Sequence, residues 1–161
     1  MNGQFSFMET AITELRAFRR CKESKRMSVV AVYQDSSTGA RVHEFCRSLS
    51  RHLGEDCKII HQVWLVNEFW MPQLKEIAAR EAASADLIII SIHHADSLSD
   101  EVKGWFDSWL RQKANRHMAL VALFDRVDQG DSSSMRAYLE EAAQRGDMEF
   151  LAQSEEMPEY C

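Results

Sequence analysis

Two short polar stretches carry the side chains able to do chemistry. The first, Asp35-Ser36-Ser37-Thr38-Gly39-Ala40-Arg41, offers a carboxylate, three hydroxyls, a glycine and a guanidinium; the second, His93-His94-Ala95-Asp96, offers two imidazoles and a carboxylate. Hydroxyls and backbone amides at a helix N-terminus can cradle a phosphate, and an arginine adds a charge-assisted bond. Histidine beside aspartate, with Asp125 farther along, could instead hold a metal or exchange protons. Adjacent histidines leave a strand end in different directions and no ligand spacing accompanies them, so hydrogen-bonded or solvated histidines are the simpler reading and no metal site is assigned. Asp35, Ser37 and His94 could be imagined as a hydrolytic triad, but no nucleophile elbow of the GxSxG type is present. For the first stretch the simpler reading is a helix start capped by Ser and Thr, which needs no ligand.

These stretches meet only if the chain between them folds as alternating strands and helices. Ala85 to Ile92 carries an unbroken apolar run, Leu87 to Ile90, too short for a helix and rich in isoleucine, as expected of a parallel strand buried on both faces. Ser28 to Tyr33 and His117 to Phe124 read as further strands, Cys57 to Trp64 as a weaker one nearer an edge, and Met148 to Leu151 as a short fifth. Helical spacing runs through Val42, Phe45, Leu49 and Leu53 up to Gly54, and through Leu74, Ile77, Ala78 and Ala82 after Pro72. It recurs in Leu98, Val102, Trp105, Trp109 and Leu110, with Ser97 and Asp100 at capping-box spacing, and in Met135, Tyr138, Leu139 and Ala142 before Gly146. An amphipathic helix over 8–20 precedes the first strand.

This alternation predicts a three-layer α/β/α sandwich with a parallel sheet in the order 2-1-3-4-5 and an extra N-terminal helix. The whole chain, 1–161, reads as a single domain: an N-terminal helical extension over 1–27, a core over 28–153 and an acidic tail over 154–161. The chain ends too soon after its fifth strand to supply the usual last helix, so the N-terminal helix is expected to pack there. The sheet's direction of winding reverses between strands one and three. The loops ending those strands therefore bound the expected ligand crevice of Asp35, Ser36, Ser37, Thr38, Gly39, Arg41, His93, His94 and Asp96.

Ser36-Ser37-Thr38-Gly39-Ala40-Arg41 resembles the flavodoxin phosphate loop, Ser/Thr-x-Thr-Gly-Asn-Thr, and Val102 to Leu110 is similar to the helix after the third strand in flavodoxin-like reductases. The resemblance in element order covers about residues 28 to 153. It implies a flavodoxin-like parallel sheet, phosphate contacts at Ser36, Thr38 and Gly39, and FMN as a cofactor. Ala40 and Arg41 depart from the motif, and His93 and His94 stand where flavodoxins place the residues that hold the flavin ring. Receiver domains share the topology, but their acidic pair is reduced here to Asp35, and the third strand ends in Ser91, His93 and His94 rather than a phosphorylated aspartate. That resemblance implies a receiver-like signalling surface without phosphoryl acceptance. The stretches 78–91 and 93–110 also look like those of an uncharacterised bacterial family with this fold.

Composition narrows the partners. A net charge of -6 over 161 residues lacks the concentrated basic surface that nucleic-acid binding needs. No stretch of about eighteen apolar residues occurs, and the first residues lack a signal peptide's apolar core, so neither a membrane span nor export is expected. Cys21, Cys46, Cys57 and Cys161 form neither a zinc pattern nor a dense disulfide framework, and reduced thiols in a cytoplasmic protein are expected. Trp64, Phe69, Trp70, Trp105 and Trp109 suggest core packing, or an exposed aromatic patch serving a protein partner or homodimer. The leading reading is a non-catalytic regulatory or protein-interaction module with a small-anion crevice. The alternative is an enzyme that binds a flavin, nucleotide or other phosphate-containing ligand there.

Overall fold

The structure, a computed structural model, describes residues 14–93, 98–114, 117–125 and 133–154. At its centre lie β3, Leu87–Ser91, and β4, Ala119–Phe124, in which every residue is buried. A strand covered on both faces has no solvent side, which is why these segments read as continuous apolar runs. Alternation sends Ile88, Ile90, Leu120 and Ala122 into one core and Leu87, Ile89, Ala119 and Val121 into the other. β1, Arg26–Tyr33, pairs with β3 on one side and with β2, Lys58–Leu65, on the other, while β5, Glu149–Ser154, pairs with β4. All four pairings are parallel, in the order β2-β1-β3-β4-β5. This is the flavodoxin-like sandwich that the sequence predicts, with the half-exposed β2 at an edge.

Two helices cover one face: α1, Arg16–Ser24, and α2, Ser36–Leu53. The other face carries α3, Pro72–Ala83, α4, Asp100–Gln112, and α5, Ser133–Arg145. On α2, Val42, Phe45, Leu49 and Leu53 are all buried, as their spacing predicts, and Gly54 follows at φ 70°, where a side chain would be strained. Pro72 opens α3 as expected, but the buried stripe of that helix is Ala78, Ala79, Ala82 and Ala83, and Ile77 is exposed. Small residues there let α3 approach α4, whose Trp105, Phe106 and Trp109 supply the bulk. The N-cap of α4 is Ser99, which accepts from the Val102 amide at 3.3 Å, rather than Ser97, which lies outside the described residues.

α1 begins later than expected and runs farther, and the first part of the expected helix, 8–13, lies outside the described residues. Leu15, Ala17, Phe18 and Cys21 bury against the sheet, and the Arg16 amide donates to the Glu149 carboxylate at 2.6 Å. The N-terminal helix therefore reaches the start of β5, where cover was expected. Its last turn closes through Lys25 in the left-handed region, whose carbonyl accepts from the Lys58 amide at 3.1 Å. That turn brings Cys57 beneath the helix end, and Cys21 and Cys57 are joined in a disulfide with Cα atoms 6.3 Å apart. The expectation of reduced thiols is thus corrected for this pair. No helix of the described residues is long and apolar enough to cross a membrane.

The α3–α5 layer is filled by aromatic rings. Phe69 and Trp105 lie 5.3 Å apart, Trp105 and Phe106 5.0 Å in an edge-on arrangement, and Phe106 and Trp109 5.4 Å. Each such pair adds about 0.5–1.5 kcal/mol beyond burial. The indole N–H groups of Trp105 and Trp109 have no acceptor among the described residues, at a cost of about 1–3 kcal/mol each, so what these side chains contribute to the core is volume. Trp105→Ala and Phe18→Ala, one in each core, are each expected to lower the unfolding free energy by about 3–5 kcal/mol in urea titrations. A loss under about 1 kcal/mol for Phe18→Ala would refute the docking of α1.

Candidate functional site

The crevice starts where β1 gives way to α2. Asp35, extended at φ -157°, is the N-cap of α2, and its Oδ1 accepts from the Thr38 amide at 3.0 Å and from the Ser37 hydroxyl at 3.2 Å. Thr38 answers it: its buried Oγ1 accepts from the Gln34 and Asp35 amides at 2.8 and 2.9 Å. This capping box satisfies donors that would otherwise be orphaned at the helix start. The Gly39 amide is spent on the Asp35 carbonyl at 2.8 Å. A carboxylate of the chain itself thus sits at the positive end of α2, where the flavodoxin resemblance implies a phosphate. Gly39 also has a packing reason to be glycine, since an added Cβ would lie 3.0 Å from the Tyr33 ring.

The end of β3 is tied to the same helix start. Ser91, buried, donates through its hydroxyl to the Thr38 carbonyl at 2.9 Å, and the His93 amide donates to Gln34 Oε1 at 2.7 Å. The His93 ring then lies between two carboxylates: Nε2 is 2.8 Å from Asp35 Oδ2, and Nδ1 is 2.9 Å from Asp125 Oδ2 at the end of β4. Arg41, one turn into α2, places Nη2 2.9 Å from Asp125 Oδ1 and 3.3 Å from the Ile92 carbonyl. Its Nη1 is buried, with no acceptor among the described residues. Asp35, His93, Asp125 and Arg41 therefore alternate in sign along a chain that joins the ends of β1, β3 and β4 with α2.

An imidazole can donate from both nitrogens only when doubly protonated. The Asp35 and Asp125 carboxylates accordingly raise the pKa of His93 above its ordinary 6.5. Asp35 is held well below the usual carboxylate range, first by the Thr38 amide and next by His93. With His93 charged, two carboxylates face two cations and the four groups are neutral together.

Of the expected crevice residues, the structure brings together Asp35, Ser37, Thr38, Gly39, Arg41 and His93. Ser36, together with Gly39, borders a cavity of about 330 Å³ lined also by Tyr33, His43, Cys46 and His61, and burial pushes the Cys46 thiol up to about 11. His94 and Asp96 lie outside the described residues. Asp125, at the margin of the sequence argument, is central here, and Gln34 was missed. The only signal for either was its position at the end of a strand. Among the described residues no group of His, Cys, Asp or Glu is arranged to hold a metal ion.

The network sets a pH profile. His93, with its pKa raised, contributes stability that is full below pH 6.5 and is lost as the pH climbs through the raised value. Asp35, with its pKa lowered, contributes stability that is present above pH 3.8 and is lost as the pH falls toward its depressed value. The stability advantage of the parent over His93→Gln, read from urea unfolding across pH, should peak between pH 3.8 and 6.5 and shrink in alkali; a flat difference would refute the bridge. Compared with known proteins, the chain matches no family model, no curated protein and no solved structure.

Proposed function

We propose that the protein is a non-catalytic regulatory or protein-interaction module whose crevice takes up a small anion. The observation that carries this reading is Arg41 Nη1, a donor on a charged group that is buried and has no acceptor among the described residues. Leaving such a donor unmade costs about 1–3 kcal/mol, which an oxyanion in the crevice would relieve. Asp35 is the internal competitor, because its carboxylate already holds the donors at the start of α2. A non-catalytic role is supported by His93, whose doubly protonated ring commits both nitrogens to carboxylates and in that state has no lone pair to act as base or nucleophile.

For the interaction role, Trp70 is 68% exposed and Met71 54%, a costly pair to leave in water. Trp105, the other aromatic considered for such a surface, is fully buried. If a partner or a second copy docks on this side, Trp70 is its anchor.

Isothermal calorimetry with inorganic phosphate tests the anion. The parent should bind, Arg41→Ala should bind at least about tenfold more weakly (~1.4 kcal/mol), and Asp35→Asn, which keeps a competent N-cap but removes the competing charge, should bind more tightly. No heat in the parent, or equal affinity in Arg41→Ala, would overturn the assignment. In light scattering, self-association that Trp70→Ala abolishes would support the homodimer; a parent that stays monomeric at high concentration would exclude it.

A further inference from the structure

We infer that His93 is a proton-operated latch that holds the ends of β1 and β4 together across the end of β3. The argument is geometric. The ring lies 2.8 Å from Asp35 on one side and 2.9 Å from Asp125 on the other, and these carboxylates belong to different elements: Asp35 to the turn between β1 and α2, Asp125 to the end of β4. Only the doubly protonated ring can donate to both. A neutral ring keeps one N–H, and its other nitrogen then presents a lone pair to a carboxylate oxygen, which repels it.

The two sides differ in which proton leaves. Asp125 presents both oxygens to Nδ1, at 2.9 and 3.2 Å, and Arg41 from α2 holds that carboxylate in place at 2.9 Å. Asp35 is more exposed, 50% against 29% for Asp125, and its Oδ1 stays bonded to the Thr38 amide whether or not Oδ2 touches the ring. The proton on Nε2 is therefore the one released, the contact to Asp35 opens, and the cap of α2 survives. Among the described residues, the charged groups around the ring are Asp35, Asp125 and, through Asp125, Arg41, while the neutral Gln34 amide fixes the His93 backbone. The raised pKa of His93 agrees with this arrangement.

Opening the latch removes a positive charge from the crevice and frees one wall of it in the same step. The latch would thus regulate the site described under the proposed function and rests on that reading for its purpose, although its operation needs no anion. Buffers without phosphate or other oxyanions keep the two separate.

Imidazole 15N–1H correlation spectra of the full chain, recorded across pH, test the latch. Both His93 nitrogens should carry protons at pH 6.5, Nε2 should lose its proton at a midpoint above that value, and the backbone amides of Asp35 and Thr38 should shift with the same midpoint. In Asp35→Asn, which retains an N-cap side chain, the midpoint should fall and the coupled amide shifts should vanish. A parent midpoint at or below 6.5, a midpoint unchanged by Asp35→Asn, or amides that ignore the His93 titration would each overturn the latch. Phosphate binding measured separately would still stand in that case, and a working latch with no phosphate heat would leave the latch intact while removing the anion.

Discussion

Two strands that must be dry on both faces impose the rest of the structure. β3 and β4 bury every residue, so each requires a helical layer above and another below. The α3–α5 layer meets that demand with aromatic volume set against an alanine stripe. On the opposite face α2 covers only part of the sheet, and α1 fills the remainder with Leu15, Ala17 and Phe18 beside Val121 and Leu151. An N-terminal segment thereby covers the face of the sheet that reaches β5.

The same parallel geometry gathers the polar residues. Strands running one way place their C-terminal ends on one edge of the sheet, and Asp35, His93 and Asp125, at the ends of β1, β3 and β4, meet there. Half-buried charges cost desolvation energy unless they are paired, and the alternation from Asp35 through His93 and Asp125 to Arg41 pairs them. Neutrality is reached only with His93 charged, which makes the imidazole the variable member of the set and the carboxylates its fixed supports.

The sequence shows β3 and the strand order because burial on both faces leaves an unbroken apolar signature, and polar loops mark the strand ends. It shows less where a residue's role depends on a partner distant in the chain. Arg41 looks like a free cation from its neighbours, and only the fold sets it against Asp125. The Cys21–Cys57 pair has no local pattern, since it is made by the left-handed turn at Lys25 and the strand pairing of Arg26 with Lys58. Ile77 fits a helical stripe by spacing, yet the close approach of α3 to α4 selects alanines one position over. β5 extends beyond its apolar stretch into Gln153 and Ser154, because an edge strand can carry polar residues that a central one cannot.

The disulfide between Cys21 and Cys57, 36 residues apart, closes a covalent ring. That ring contains all of β1 and α2, and with them Asp35, Thr38 and Arg41, one entire wall of the crevice. A protease that cuts a single peptide bond inside it therefore releases no fragment: the nicked chain keeps its mass but for one added water, and both cut ends stay tethered to the sheet. Only a reductant would let the pieces part.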